Sequence, residues 1–324
     1  MVVVWLKFIS AAFFIFISGK KLSYHADVFA EKKGIGKGWI GLVLLAGITS
    51  LPEAFTAISA VGFSKAPDMA LGDIFGSNVF NLAIIAVLDY IYRSEKPLIS
   101  ELNQEHLLTI GAGIFLSAVA LLGLSSRKAV LNFSFSEISL FICYLVFVRL
   151  HFSFGRQTPS PSGEEKYPDL SLESQYWPLL KHSTILVASS LLLADAGKGI
   201  VVQTGLPGSF VGFLFLAVAT SMPEIVISIS SLKLGEVNMA LGNILGSNLA
   251  NLAIIFPASF FQPGSPLITA SRSASHATYL VEALFMYGII ILGASYKSSR
   301  KVWRIGWDSF LLIAVYFLFL NRPG

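Results

Sequence analysis

The chain has 324 residues, of which 54% are hydrophobic and only 13% are charged, and its mean hydropathy is +0.71. A soluble domain is about 25% charged, so this composition excludes a water-soluble globule of this size and indicates a polytopic membrane protein. The net charge of +4 gives no indication of a nucleic-acid partner, and we expect none. The single cysteine, Cys143, excludes a disulfide framework and a cysteine metal cluster.

Ten segments are apolar and long enough to cross a bilayer, which takes about 20 helical residues. The first has no basic region before it and no small-residue cleavage site, so we interpret it as a retained helix and not as a signal peptide. The alternating strands typical of a membrane β-barrel are missing. In chain order, the predicted spans are Val3–Lys20, Gly36–Phe63, Met69–Tyr92, His106–Leu124, Phe133–Phe152, His182–Thr204, Gly208–Leu234, Met239–Phe261, Ala277–Tyr296 and Trp303–Leu320.

The basic residues predict the orientation of these spans. Sixteen lysines and arginines fall at one set of alternate loops and six at the other set. Because cytoplasmic loops carry the excess of Lys and Arg, we expect both termini to be extracytoplasmic and the central loop to be cytoplasmic. We expect the protein in the plasma membrane.

The central loop, residues 153–181, contains a Thr-Pro-Ser-Pro-Ser-Gly stretch followed by two glutamates. This composition is typical of a flexible connector. The loop divides the chain into an N-terminal half, residues 1–152, and a C-terminal half, residues 182–324, with five predicted spans each.

The two halves contain copies of the same sequence. Residues Ala70–Ile85 and Ala240–Ile255 are identical at twelve of sixteen positions without a gap. Upstream, T-S-L-P-E at 49–53 is matched by T-S-M-P-E at 220–224. General resemblance between apolar helices explains shared Leu and Ile, but not shared Gly, Ser, Asn, Pro and Glu in the same order.

A repeat of five spans is an odd number, so the second copy must enter the membrane upside down. We therefore predict an all-α polytopic membrane protein of ten transmembrane helices, arranged as two inverted five-helix repeats, with a substrate site near the midplane where broken helices meet. Pro52 and Pro223 lie inside long apolar spans, where each removes a backbone hydrogen bond and forces a kink. The carbonyls freed near residues 48–49 and 219–220 become possible cation ligands.

Acidic residues are expensive inside a bilayer and mark functional sites there, and Glu53 and Glu224 lie in the middle of predicted spans. Each shares a helix face with the threonine one turn earlier, Thr49 or Thr220. A structural role, paired to a nearby base, is the alternative. The same i, i+4 spacing relates Ser77 to Asn81 and Ser247 to Asn251. Five other acids lie near predicted span ends, where we expect contact with water, headgroups or loops: Asp89, Glu137, Asp195, Glu282 and Asp308.

Carboxylates, hydroxyls, amide oxygens and freed carbonyls together form an all-oxygen site, which hard cations such as Ca²⁺ prefer. Two glutamates carry a charge of −2, which one Ca²⁺ or two Na⁺ would neutralise. An emptied site would leave like charges together in a low dielectric. These residues therefore favour exchange of cations over one-way leakage.

The motifs resemble the paired α-repeats of the cation/Ca²⁺ antiporter superfamily, whose best-known branch is the sodium/calcium exchangers. The likeness rests on the two T-S-x-P-E motifs, with G-S-N-V-F-N at 76–81 and G-S-N-L-A-N at 246–251. It extends to the ten-helix count, the inverted halves and the cytoplasmic central loop. The resemblance implies Na⁺- or H⁺-driven movement of Ca²⁺ by alternating access.

The resemblance also implies a ligand set for the transported cation. Glu53 and Glu224 are implied as the shared carboxylates, and Asn81 and Asn251 as residues lining the middle of the site. The family pattern has Asp where this chain has Asn251, so one potential carboxylate is missing here. The implied hydroxyl or carbonyl ligands are Thr49, Ser50, Ser77, Thr220, Ser221 and Ser247, together with the backbone carbonyls of Ala46 and Ala217.

Our leading hypothesis is an antiporter, not an enzyme, that exchanges Na⁺ for Ca²⁺ across a membrane without a cofactor. The nearest alternative exchanges H⁺ for Ca²⁺ or another divalent cation. A cation channel fits less well because inverted repeats with kinked helices favour alternating access, and no serine–histidine or metal constellation supports an intramembrane hydrolase. The expected partners are the transported ions and the lipid bilayer, while the oligomeric state stays open.

Overall fold

A computed structural model of the chain describes residues 2–125, 129–130, 133–155, 165–204, 218–271, 273–297, 301 and 304–320. This part of the chain is almost entirely helical, as the composition predicts. The α-helices, α1 to α13 in chain order, are Val2–Lys33, Lys37–Trp39, Ala46–Thr49, Leu51–Gly62, Pro67–Ile91, Gln104–Ser125, Phe135–Gly155, Glu173–Thr204, Met222–Lys233, Val237–Ser259, Leu267–Ala270, Ser275–Tyr296 and Trp307–Leu320. A π-helix, Ile40–Leu45, joins α2 to α3, and a 3₁₀-helix spans Leu98–Glu101.

Eight helices of the described residues are long and apolar enough to cross a membrane, with residues 37–62 counted as one. The predicted span Gly208–Leu234 is described only from residue 218, and α13 has 14 residues. The prediction of an all-helical membrane protein is therefore confirmed, while ten spans and their inverted arrangement stay predictions. One small departure is an antiparallel pair of two-residue strands, β1 (Ala129–Val130) and β2 (Phe133–Ser134).

Large apolar side chains lie exposed along several of these helices. On α1, Val3, Phe13 and Phe16 are each more than half exposed. In the most apolar 18-residue stretch of this helix, only 22% of the residues are buried. Helices α7, α12 and α13 also carry such residues. Apolar surface on this scale is unfavourable in water. We therefore infer that these helix faces contact the lipid of a membrane. The chain is an integral, multi-pass membrane protein.

Two predicted boundaries are wrong because hydropathy detects only the apolar part of a helix. The first helix does not end at Lys20 but continues to Lys33, so its last 13 residues extend beyond the predicted span. The predicted connector 153–181 is too long, since α7 continues to Gly155 and α8 begins at Glu173. Residues 156–164 of the connector lie outside the described residues.

The chain forms two compact units, and each unit draws on both sequence halves. Unit 1 consists of Met1–Pro52 and Phe152–Ile244, and unit 2 of Glu53–His151 and Leu245–Gly324. The units are therefore composed differently from the halves 1–152 and 182–324, which were defined by the repeated motifs. Each unit therefore consists of one segment from the N-terminal half and one segment from the C-terminal half, packed against each other.

In unit 1, the long helix α1 packs against α8 and α9. Small and branched side chains fill this contact, among them Ala11, Ile15, Leu22, Leu186 and Ile227, all fully buried. Alanines at α1 let the helices approach closely, and the larger residues fill the remaining space. This core holds α9, which begins two residues before Glu224.

Near the end of α1, Asp27 is fully buried and its carboxylate has three partners. Lys37 pairs with Oδ1. Lys166 Nζ lies 2.9 Å from Oδ2, and the Tyr167 hydroxyl donates to the same oxygen at 2.7 Å. Lys166 also lies 2.9 Å from Glu236 Oε1. The end of the connector thus ties α1 to the turn between α9 and α10.

These contacts stabilise the charged form of Lys166. Burial alone would lower the pKa of Lys166, but hydrogen bonds to Asp27 and Glu236 outweigh burial and raise the pKa above its ordinary value. A group whose pKa is raised on folding stabilises the protein below its unfolded pKa, and loses that contribution as the pH rises through the folded value. The ion pair is therefore fully formed at physiological pH.

In unit 2, α12 packs against α5, α6 and α13. Two acids predicted near water are buried here and bind polar groups. Asp89 accepts hydrogen bonds from Leu98 N and Gly306 N, both at 2.7 Å, and pairs with Lys301 at 2.9 Å. Glu137 accepts from Ser259 Oγ at 2.8 Å, Ile268 N at 2.9 Å and Ser134 N at 2.9 Å. Both carboxylates join helix ends to neighbouring loops.

The Asp27 cluster predicts a graded loss of stability. We expect Asp27→Asn to lower the free energy of unfolding by somewhat less than the about 3–5 kcal/mol typical of breaking a fully buried pair, because Lys166 is 41% exposed. Lys166→Met should lower the free energy of unfolding by about 1 kcal/mol or less. This loss should be the same from about pH 6 to 9, because the raised pKa keeps Lys166 charged over that range. Thermal unfolding in detergent measures both, with the exposed Lys181→Met as the control. An Asp27→Asn protein as stable as the control would contradict the assignment.

Candidate functional site

The helix that carries the first motif is interrupted at Ser50, and the second motif has the same interruption at Ser221. Ser50 has φ −84° and ψ −2°, and Ser221 has φ −90° and ψ 13°. Both values lie in the sparsely populated region between helix and strand. Pro52 and Pro223 follow as the second residues of the next helices, α4 and α9. The predicted kinks at the two prolines are confirmed.

Just before the first break, the carbonyl of Ala46 keeps its ordinary helical hydrogen bond. The Ala46 carbonyl oxygen accepts from Ser50 N at 2.9 Å and from Thr49 Oγ1 at 3.2 Å. Both lone pairs of this oxygen are therefore engaged, and a cation would have to replace one donor. The role of Ala46 as a cation ligand stays a prediction. Its predicted counterpart, Ala217, lies outside the described residues.

Glu224 is a buried acid of unit 1, with no exposed surface, in the first turn of α9. Neither of its carboxylate oxygens has a hydrogen-bond partner of standard geometry among the described residues. The Thr49 side chain lies close enough to interact with the carboxylate at longer range. Ser50 and Ser221 are also buried, and Thr220 is half-buried. The structure therefore brings Glu224 to Thr49, from the first copy of the motif.

Asn243 supports the backbone of Glu224 from the neighbouring helix α10. Its Nδ2 lies 2.9 Å from Ser228 Oγ and 3.4 Å from the Glu224 carbonyl oxygen. Ser228 Oγ in turn donates to the Ala240 carbonyl at 3.2 Å. This chain of hydrogen bonds joins α9 to α10 one turn below the carboxylate, so the position of Glu224 depends on the contact between the two helices.

Two glycines allow α10 to approach the π-helix that precedes Thr49. A Cβ added to Gly242 would lie 2.5 Å from the Gly38 carbonyl oxygen, and one added to Gly41 would lie against the Met239 carbonyl and 3.0 Å from Asn243 N. No side chain fits at either position. The close approach of the two elements therefore depends on the missing side chains of Gly41 and Gly242.

Glu53 is a buried acid of unit 2, only 2% exposed, in the first turn of α4. One turn further along, Thr56 Oγ1 lies 3.0 Å from the Glu53 carbonyl and 2.8 Å from Asp73 Oδ2. Asp73 is half-buried on α5. A second carboxylate therefore lies next to the helix that carries Glu53, at the position where the other repeat has Asn243.

The two long repeats meet through reciprocal asparagine contacts in unit 2. Asn78 Nδ2 donates to the Asn248 carbonyl and Asn248 Nδ2 donates to the Asn78 carbonyl, both at 3.1 Å. Asn248 Nδ2 also lies 3.2 Å from the Tyr287 hydroxyl. A reciprocal contact, in which each residue donates the same hydrogen bond to the other, is typical of two copies related by a twofold axis. Asn78 and Asn248 were not among the predicted site residues, although each is the third residue of a G-S-N motif that both copies share.

The predicted residues Asn81 and Asn251 are completely buried, and they differ in their contacts. Asn251 Nδ2 donates to Asn78 Oδ1 at 3.1 Å, which leaves its Oδ1 without a partner among the described residues. Neither the Oδ1 nor the Nδ2 of Asn81 has a partner there. Leaving a buried polar group unpaired costs about 1–3 kcal/mol. Ser77 is 5% exposed and Ser247 is fully buried, so unit 2 contains the predicted polar residues of both long repeats.

The chemistry of these residues is that of neutral oxygen donors with few charges. No group of three or more His, Cys, Asp or Glu side chains that could hold a metal lies within the described ranges. Hydroxyl, amide and carbonyl oxygens with isolated carboxylates suit a hard cation that must be released again, because each neutral ligand holds it weakly. The donor set thus fits a transported ion.

The fold and these residues agree with a known protein family. The model of the family described as sodium/calcium exchanger protein matches residues 3–150 and 177–321. The chain belongs to this family. Its members are exchangers, a class of transporters. The sodium/calcium exchanger MaX1 of Methanosarcina acetivorans is 24% identical over 329 residues, covering 91% of each chain. The putative antiporter CaxA of Alkalimonas amylolytica is 26% identical over 306 residues, covering 89% of each.

Solved structures of the sodium-calcium exchanger NCX_Mj share the fold. The structure soaked with 2.5 mM Na⁺ and 1 mM Sr²⁺ matches with a TM-score of 0.76 at 20% identity, covering 100% of both chains. The structure soaked with 10 mM Na⁺ and zero Ca²⁺ matches with a TM-score of 0.74 at 21% identity, covering 98% of both. The architecture is thus retained at low sequence identity.

The glycine contacts predict which substitutions the fold tolerates. Gly242→Ala should lower the free energy of unfolding by about 1–3 kcal/mol or more, because its methyl group would meet backbone atoms that cannot move aside. Gly47→Ala and Gly76→Ala are matched controls, since a Cβ there meets nothing within 4 Å. These controls should stay within about 1 kcal/mol of the parent or gain stability, because alanine favours helix. Thermal unfolding separates the cases, and equal behaviour of all three variants would refute the close approach.

Proposed function

We propose that this protein is a secondary-active antiporter that exchanges Na⁺ for Ca²⁺ by alternating access. The observation that carries the proposal is the repeated break: in both motifs a helix ends at a serine, and a buried glutamate follows three residues later. A break exposes backbone oxygens, and the glutamate supplies charge next to them. Membership of the exchanger family supports the same function.

In this proposal, Glu53 and Glu224 are the carboxylates that bind the transported cation near the midplane. Their assignment rests on the sequence repeat and the family resemblance. Neutral oxygens from the same motifs complete the coordination as the ion changes. These are the side chains or carbonyls of Thr49, Ser50, Ser77, Asn81, Thr220, Ser221, Ser247 and Asn251, with the carbonyls of Ala46 and Ala217.

Charge balance explains why the cycle is an exchange. Two glutamates carry −2, which one Ca²⁺ or two Na⁺ neutralise. Without a cation, the like charges would remain in a low dielectric, which disfavours their ionised forms. The empty carrier is therefore the costly state, and transport proceeds by replacing one cation load with another.

Sodium is the proposed driving ion because hydroxyl and carbonyl ligands with few carboxylates suit a monovalent cation. Asn251 is neutral, so it cannot carry a proton at that position. The similarity to the sodium/calcium exchanger MaX1 supports this choice. We further propose that the protein lies in the plasma membrane, with both termini extracytoplasmic and the central loop cytoplasmic, as the basic residues indicate.

Proteoliposomes with imposed gradients test the driving ion. We expect an outward Na⁺ gradient to drive Ca²⁺ uptake, and a pH gradient of equal size without Na⁺ to drive none. A Na⁺ ionophore should abolish the uptake by dissipating the gradient. Uptake driven by the pH gradient alone would replace sodium with protons, and rapid Ca²⁺ flux without any counter-ion would indicate a channel.

Single glutamine substitutions test the two carboxylates. We expect Glu53→Gln and Glu224→Gln each to reduce Na⁺-driven Ca²⁺ uptake by at least roughly tenfold, since even outer-shell partners of a metal contribute about 10- to 100-fold. The matched control is Glu101→Gln, which alters an exposed glutamate at the end of the 3₁₀-helix. Size-exclusion chromatography checks folding. Parent-like transport by either variant would remove that glutamate from the proposed site.

A further inference from the structure

Unit 2 contains several buried acids that belong to neither repeated motif, and Glu282 is one of them. Glu282 is the eighth residue of α12 and is only 2% exposed. Its Oε1 has no hydrogen-bond partner among the described residues. The sequence pattern predicts contact with water or headgroups at this position, and that prediction is wrong because Glu282 points into the helix packing of the unit.

The ionisable neighbours of Glu282 are two tyrosines. Tyr279 on the same helix and Tyr316 on α13 lie within range of its charge. The Tyr316 ring packs 5.8 Å from the ring of Phe80 on α5, so apolar rings close this region. No basic side chain of the described residues pairs with Glu282.

The other ionisable groups on the helices packed around α12 have contacts elsewhere. On α5, Asp68 pairs with His276, Asp73 binds Thr56 and Asp89 pairs with Lys301. Asp308 accepts from Ser309 N at the start of α13, and Tyr287 binds Asn248. Glu105 and His106 lie at the start of α6, while Tyr90 and Tyr296 are exposed.

Packing alone does not require an acid at this position. An offset of 170 residues relates Ala70–Ile85 to Ala240–Ile255 and also relates His106 to His276. The same offset relates Glu282 to Ala112, which is 1% exposed on α6. One copy of the repeat therefore fills the equivalent buried position with a methyl group. The carboxyl group is an addition in the second copy, and it needs an explanation of its own.

The physical cost of burial decides the chemical form of this carboxyl group. An ionised carboxylate without a cationic partner or hydrogen bonds is strongly disfavoured inside a membrane protein, whereas the protonated acid is neutral. Intramembrane acids of this kind are functional by default. We propose that Glu282 is a proton-binding site, separate from the repeated motifs, that holds H⁺ in the conformation described here.

The bound proton comes from the aqueous phase and returns to it. The neutral acid is compatible with the closed packing around Tyr316, while the ionised form favours any conformation that admits water or a cation to the carboxylate. Protonation of Glu282 therefore biases the conformational equilibrium of unit 2. This inference goes beyond the proposed exchange, since it holds whichever cations the repeated motifs carry.

Infrared spectroscopy of the purified full-length protein tests the bound proton directly. At neutral pH, we expect the parent protein to show a protonated-carboxyl C=O absorption that is lost in Glu282→Gln, which is isosteric with the neutral acid. Glu282→Asp should keep an absorption of this kind. The matched control is Glu137→Gln, which alters an equally buried glutamate that accepts three hydrogen bonds and should leave the absorption of Glu282 in place. Identical carboxyl spectra of the parent and Glu282→Gln would overturn the proposal.

Transport in proteoliposomes tests the conformational consequence. With equal pH on both sides, the parent rate of Ca²⁺ uptake should change as the pH is raised, and Glu282→Gln should keep the low-pH parent rate at every pH. A flat parent profile, or identical profiles of the two proteins, would overturn the bias. If no variant transports Ca²⁺ at all, the proposed exchange fails, while the infrared result still decides whether Glu282 binds a proton.

Discussion

Polar groups buried in a membrane protein must find partners within the protein, because the hydrocarbon core supplies none. This constraint organises the whole described chain. A helix satisfies most of its own backbone groups, and Ser50 and Ser221 interrupt the helices of the two repeated motifs. These two breaks occur in the motifs that also carry buried glutamates. A cation-transporting protein needs oxygens that are available at depth, and a broken helix is the simplest way to supply them.

The buried acids fall into two classes by what surrounds them. Asp27, Asp89 and Glu137 lie at the ends of helices, where lysines or several hydrogen-bond donors hold the carboxylate. Among the described residues, both carboxylate oxygens of Glu224 and the Oε1 of Glu282 are buried without a standard hydrogen bond. The first class stabilises junctions between elements. The second class retains the capacity to bind a cation or a proton, because no resident partner has taken its place.

The duplicated halves have kept their shared geometry and diverged in charge. Asn78 and Asn248 exchange equivalent hydrogen bonds, as a twofold relation requires. At other equivalent positions the copies differ, with Asp73 against Asn243 and Ala112 against Glu282. A symmetric pair needs both partners to be maintained, whereas a position that contacts only its own copy is free to change its charge.

The amino-acid sequence by itself determined the helical membrane class, the repeats, the kinks at Pro52 and Pro223 and the motif residues, because hydropathy, duplication and proline geometry are local properties. The sequence pattern placed the end of α1 and the beginning of α8 wrongly. A helix continues into polar sequence wherever tertiary contacts, such as those of Asp27, stabilise it. Only the tertiary structure decided that Asn78 meets Asn248, that Gly242 touches backbone and that Glu282 is buried without a hydrogen bond to its Oε1. These are contacts between residues that are distant in the chain, and no local pattern specifies which face of a uniformly apolar helix turns inward.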